Sequence, residues 1–233
     1  MTQNLTTIGF DADDTLWQNE ALFQMTQDRF ATLLTDYAEA DHLAERLEAA
    51  EQRNLGRYGF GIKGFVLSMI ETAIEVTSER VPARVIRALI EAGQQMLDHP
   101  IELLPGARDA VEGLAGRFTL VLITKGDLLD QERKLAQSGL GEMFDAVEIV
   151  SDKTPQIYAS AFERHGGGAE TAMMVGNSLK SDVIPALEAG AWAVHVPHDL
   201  TWSLEHAEAP HEDERFFQID NLAELGRVID QIG

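Results

Sequence analysis

The chain contains no cysteine, which excludes disulfides and leaves neither zinc nor an iron–sulfur cluster any thiolate to bind. It is also short of positive charge: 18 Lys and Arg face 39 Asp and Glu, a formal net charge of −21. A chain this acidic repels phosphate backbones and anionic bilayers, so neither nucleic acid nor a membrane surface is an expected partner. No run of roughly 18 uncharged apolar residues exists, so no membrane span is expected. The opening "MTQNLTTIGF" has neither a basic n-region nor a long apolar h-region, which argues against a signal peptide and for a cytoplasmic protein.

What is present is enough apolar material, 45% of 233 residues, for a sizeable core. Its periodicity changes along the chain. From about 17 to 98 the spacing is helical: Phe30, Leu33, Leu34 and Tyr37 fall at i, i+3, i+4 and i+7, as do Val66, Met69, Ile70 and Ala73. Leu43 and Leu47 mark a shorter helix, and Pro82 suits the first turn of another. "GRYGFGIKG" (56–64), with four glycines, reads as a loop between helices. From about 100, short β-rich runs alternate with helical ones: 118–124, 144–150, 171–176, 191–196 and 215–219. That alternation predicts βαβ crossovers and a mostly parallel sheet, to which "TTIGF" (6–10) also belongs. The expected organisation is an α/β core from residues 1–16 and 100–233, with a helical insertion over 17–99.

In an open parallel sheet, ligands bind outside the carboxyl ends of the strands. The chemistry-bearing residues gather there. The first strand delivers Asp11 and Asp13; the second ends in Thr124 followed by Lys125; the third is followed by Lys153; the fourth by Asn177 and Asp182. Carboxylates, a hydroxyl and a lysine at one edge suit Mg²⁺-assisted phosphoryl transfer. A hard cation prefers oxygen ligands, a carboxylate can be the nucleophile, a second can exchange the proton, and hydroxyl plus ammonium hold the transferring oxygens.

"FDADDT", "ITKG", Lys153 and "VGNSLKSD" resemble, in order, the four motifs of the haloacid dehalogenase superfamily, and the helical segment lies where that family carries a C1-type cap. The resemblance covers the whole chain. It implies a Rossmann-like core, with Asp11 as nucleophile and Mg²⁺ ligand. Asp13 becomes the acid/base, its carbonyl also on the metal, and Thr124 and Lys153 hold the phosphoryl group. Asp182 becomes a metal-site carboxylate. Dehalogenating members lack the second acid, so Asp13 favours phosphate chemistry. The departure is Asn177, where the family usually has Asp; a neutral amide there predicts weaker metal affinity.

The implied activity is hydrolysis of a small phosphorylated metabolite, a nucleotide or sugar phosphate, through an aspartyl-phosphate. The alternatives are mutase-type phosphoryl transfer and a catalytically weak binding or regulatory protein. With so acidic a chain, an anionic substrate needs local cations: Lys125 and Lys153 from the core, Lys63 and Arg57 from the insertion. Loop 56–64, with Tyr58, Phe60 and Lys63, either closes on the leaving group or merely joins two helices. Asp14 and Ser178 read as turn or capping residues. His195, His198, His206 and His211 read as solvated loop residues, and Trp192 and Trp202 as packing.

Overall fold

The computed structural model describes residues 5–232. Its central strand, β1 (Thr7–Phe10), is buried along its whole length. Ile8 and Phe10 project to one side, into a core with Leu120, Leu122, Met173, Val175 and Val194. The opposite side packs on the bare backbone of Gly9, where a Cβ would stand 3.1 Å from Phe162 and Met174 and 3.2 Å from Ile123. A strand with no exposed face is the pattern of a sheet covered on both sides.

The other strands are β2 (Thr119–Lys125), β3 (Ala146–Val150), β4 (Ala172–Gly176), β5 (Trp192–His195) and β6 (Phe216–Gln218). They form one sheet in the order β3-β2-β1-β4-β5-β6, with every neighbouring pair parallel. This is the parallel α/β sheet that the alternating texture predicts. Period-two alternation sorts the side chains: Leu120 and Leu122 join the core of Ile8 and Phe10, while Val121 and Ile123 join the other, with Tyr158 and Phe162. The crossovers carry α5 (Ala107–Leu114), α6 (Leu128–Ser138), α7 (Pro155–His165) and α8 (Ile184–Glu188), and α9 (Leu225–Ile232) follows β6. The chain builds outward from β1 to β3, then restarts beside β1 at β4. The strand order therefore reverses between β1 and β4, and a crevice opens past their carboxyl ends.

The chain divides into two compact units. The sheet unit takes the described residues up to Glu20, Ile101–Lys125, and those from Gln131 onward. The second unit takes Ala21–Pro100 together with Gly126–Asp130. Its helices are α1 (Glu20–Leu34, whose first residue belongs to the sheet unit), α2 (Ala40–Tyr58), α3 (Ile62–Val76) and α4 (Ala83–Leu97). They share a core of their own that includes Phe30, Leu34, Leu47, Phe65, Met69 and Leu89. Burying each such side chain stabilises by about 1.5–3 kcal/mol.

Two local expectations are corrected. α1 stops at Leu34, so Tyr37 lies past its end and is exposed; Thr35 and Asp36 are poor helix continuers. The nine-residue glycine loop shrinks to Gly59–Gly61, because Gly56 and Gly64 sit inside helices. Gly64 is needed for proximity: a Cβ there would lie 2.8 Å from the Gly59 carbonyl oxygen.

Candidate active site

Asp11 leaves the end of β1, its N–H donating to the Val175 carbonyl (2.9 Å) across to β4. The carboxylate is buried, and burial pushes its pKa up to about 7 against the pull of Lys153. Lys153, after β3, donates from Nζ to Asp11 Oδ1 and to Asp182 Oδ1, the latter at 2.6 Å. Burial works against that ammonium, but the two carboxylates outweigh it and hold the lysine pKa above its ordinary value.

Asp182 comes from a π-helical turn, Leu179–Val183, which leads into α8. Such turns are uncommon and often sit at functional sites. The Ser178 N–H binds Asp182 Oδ2 (2.9 Å), and Gly176 leaves room for it: a Cβ would meet Oδ2 at 2.3 Å. Tyr158, buried on α7, donates to the Ser181 carbonyl (2.9 Å). Thr15 Oγ1 donates to Asp11 Oδ2 (2.9 Å), lies 3.3 Å from Asn177 Oδ1, and accepts from the Asn177 N–H (3.1 Å). Asn177 and Asp11 are thus neighbours through one hydroxyl. Thr124 is buried near the end of β2, one strand over from β1, with its hydroxyl 3.4 Å from the Lys125 carbonyl.

The carboxylate of Asp13 is surrounded by donors. Trp17 Nε1 reaches Oδ1 (2.7 Å), Gln131 Nε2 reaches Oδ2 (2.8 Å), and Lys134 Nζ reaches both (2.9 and 3.1 Å). Asp14, at φ 60°, accepts from the Asn19 and Glu20 N–H groups (2.9 and 3.0 Å) and so caps the start of α1. Ser178 caps the π turn through the Ser181 N–H (2.9 Å).

Asp11, Asp13, Thr124, Lys153, Asn177 and Asp182 therefore meet at the carboxyl edge of the sheet unit. Two expected substrate cations have other partners. Lys125 Nζ binds Glu205 Oε1 (2.6 Å) and Ser181 Oγ (2.7 Å). Burial opposes the charge on Glu205, yet Lys125 and the hydroxyls of Ser178 and Ser181 hold its pKa below the usual range. Lys63, on α3, pairs with Asp127 (2.9 Å) inside the second unit. Tyr58 there donates to Glu71 (2.7 Å). His195 is not solvated: it is buried on β5, and its Nε2 donates to the Asn177 carbonyl (3.0 Å), bracing the loop that carries Asn177.

Trp17, Gln131, Lys134 and Glu205 were not anticipated as site residues. Two of them are brought in by the packing of α6, which the sequence does not signal. In α6, Asp130, Gln131 and Lys134 are buried while Leu128 and Leu129 are 60% and 68% exposed, the reverse of an ordinary amphipathic helix.

Among the described residues no group of three or more His, Cys, Asp or Glu side chains is arranged to hold a metal. The oxygens around Asp11 are nonetheless those a small hard cation takes: the Asp11 and Asp182 carboxylates, the Asn177 amide oxygen and nearby hydroxyl and backbone oxygens. Mg²⁺ commonly uses one or two protein carboxylates and completes its shell with water and phosphate. The donor chemistry fits magnesium.

Strand order, site position and residue types together are those of an enzyme of the α/β hydrolytic kind, with its polar residues gathered at the strand ends. The sequence profile of the haloacid dehalogenase-like hydrolases matches residues 5–190, and the chain belongs to that family. Over 99% of its length it superposes with a TM-score of 0.88 on 92% of a haloacid dehalogenase-like family hydrolase from Xanthomonas campestris, at 38% identity. The HAD-hydrolase YfnB from Bacillus subtilis, solved bound to magnesium, shares the fold over 97% of this chain and 99% of its own, with TM-score 0.66 and 19% identity. Glyceraldehyde 3-phosphate phosphatase from Methanothermobacter thermautotrophicus is 29% identical over 48% of this chain and 51% of its own. Pyrimidine 5'-nucleotidase YjjG from Escherichia coli is 25% identical over 54% and 56%. The chain thus spans about half the length of these two relatives. No helix among the described residues is long and apolar enough to cross a membrane.

Proposed function

We propose that this protein is a Mg²⁺-dependent phosphatase of a small phosphomonoester, of the sugar phosphate or nucleotide class, working through an aspartyl-phosphate on Asp11. The observation that carries the reading is the Asp11–Lys153–Asp182 triad at the strand-order reversal, with Asp13 beside it. The two partial relatives, a glyceraldehyde 3-phosphate phosphatase and a pyrimidine 5'-nucleotidase, support the substrate class.

Asp11 attacks phosphorus, and the P–O bond to the leaving group breaks with its electron pair staying on the departing oxygen. Asp13 gives that oxygen a proton. A water molecule then attacks the phosphorus of the acyl phosphate while Asp13 takes its proton, releasing phosphate and restoring Asp11. Lys153 and Thr124 hold the phosphoryl oxygens where negative charge accumulates. Asp11, Asn177, the Asp13 carbonyl and Asp182 would hold magnesium, which when bound supplies positive charge for the phosphoryl oxygens.

Asp11→Asn removes the nucleophile while nearly preserving shape. Magnesium-dependent release of phosphate from a panel of phosphorylated metabolites should fall to background, with the thermal midpoint close to that of the parent. A variant that keeps most of the parent rate refutes the assignment.

A further inference from the structure

We infer that Lys134, with Gln131 beside it, is a positioning residue that sets Asp13 as the base for the second half of the reaction. The inference rests on the phosphatase reading above. Asp13 lies beyond the end of β1, held by a single isolated bridge to Trp17 rather than a strand ladder. Its orientation therefore depends on side chains, and three supply it with four donor contacts.

Two of the three sit one helical turn apart on the buried face of α6, where apolar residues would be expected. The Lys134 side chain is only 7% exposed, and its Nζ also binds Asn19 Oδ1 (2.8 Å). Taking an ammonium out of water is costly unless it is paired and hydrogen-bonded. Gln131 carries a second clue. Its Nε2 donates to Asp13 Oδ2 and to the Lys125 carbonyl (2.7 Å), while its buried Oε1 has no partner. Turning the amide over would set Oε1 against two acceptor oxygens. The amide faces Asp13 as a donor even though its other end goes unsatisfied.

A carboxylate offers about four acceptor sites, and the four donor contacts take them up, so a proton on Asp13 would have to displace a donor. The cradle thus matches Asp13 as it stands after its proton has gone to the leaving group and before it takes one from water. Contacts that favour this state serve the breakdown of the aspartyl-phosphate. The competing account is a purely structural one, in which Lys134 staples the 11–19 loop to α6.

The two accounts separate in the kinetics of 4-nitrophenyl phosphate with Mg²⁺. Nitrophenolate leaves without protonation, so kcat/KM reports a step that does not need Asp13, whereas kcat reports hydrolysis of the phosphoenzyme once that step is slowed. Lys134→Met should lower kcat about 100-fold and change kcat/KM by less than about threefold. Rapid mixing should then show a burst of nitrophenol equal to the enzyme concentration. Asp13→Asn should behave alike, and adding Lys134→Met to it should slow it no further.

Parallel loss of kcat and kcat/KM without a burst, additive losses in the double variant, or an unchanged Lys134→Met each overturn the inference while leaving the phosphatase reading intact. Should Lys134→Met fail to fold, Gln131→Leu is held to the same burst and the same split. If the parent protein releases no nitrophenol in a manner that requires Asp11, the phosphatase reading falls and this inference falls with it.

Discussion

Glu20 opens α1 next to Asp14, and the pairing has a pH consequence. Burial, then the neighbouring Asp14 charge, pushes the Glu20 pKa from 4.5 up to about 7. Between those values the folded chain keeps a proton that the unfolded chain has lost. Stability therefore falls as pH rises through this window, and the penalty is complete above about 7. Glu20→Gln should stabilise at pH 8, by on the order of 2 kcal/mol, and leave stability at pH 4 nearly unchanged. Urea midpoints at the two pH values check this; an equal gain at both would contradict the linkage. Residues of this kind separate what the sequence reveals from what it conceals. Asp11, Asp13, Thr124, Lys153 and Asp182 are legible because each follows a recognisable strand, and strand ends converge by topology. Lys134 and Gln131 follow no strand. Their role depends on which face α6 buries, and only the packed structure shows that face to be the polar one. Lys125 was legible as a cation, but Glu205, some eighty residues away, was not legible as its partner.

In the second unit α3 and α4 cross closely at Gly93. A Cβ on Gly93 would come 2.3 Å from Val66 Cγ2, and the β-branched valine is stiff about χ1. Gly93→Ala gains roughly 1 kcal/mol in helix propensity but forces α3 and α4 apart. Overpacking of this kind costs about 1–3 kcal/mol, so a net loss of stability is expected. Adding Val66→Ala should recover part of it, since the second change vacates the space the first one needs. Chemical denaturation of the two single variants and the pair measures the coupling; a Gly93→Ala protein more stable than its parent rules out the steric account. At this scale the strands are legible, because continuous apolar runs bounded by turns have few alternatives. The glycine loop was overestimated, because Gly56 and Gly64 look like breakers in sequence and serve inside helices as contact points. That Gly126–Asp130 clusters with the helical unit has no sequence signature; the Lys63–Asp127 ion pair is part of that association.

Across the whole molecule, a formal charge of −21 faces the proposed substrate, which would carry negative charge itself. Raising ionic strength from 10 to 150 mM shortens the screening length from about 30 to about 8 Å. For a dianionic phosphomonoester at saturating Mg²⁺, kcat/KM should rise a few-fold over that range as long-range repulsion is screened. A steady fall instead would mean that Lys153 and its neighbours steer the substrate more strongly than the acidic exterior repels it.

The place of β1 in the sheet carries a last consequence, for the order of assembly. Thr7–Phe10 precedes both of its bonded neighbours in the chain, which are Thr119–Lys125 on one side and Ala172–Gly176 on the other. More than a hundred residues must be synthesised before the first rung of the sheet can close, and about fifty more before the second. Until then a bare apolar ribbon waits in solution, while helices coded between 20 and 97 can already pair among themselves through near-neighbour contacts. Nascent chains halted short of residue 172 would thus hold a finished helical lobe and an uncompleted sheet whose middle rail is open along one side.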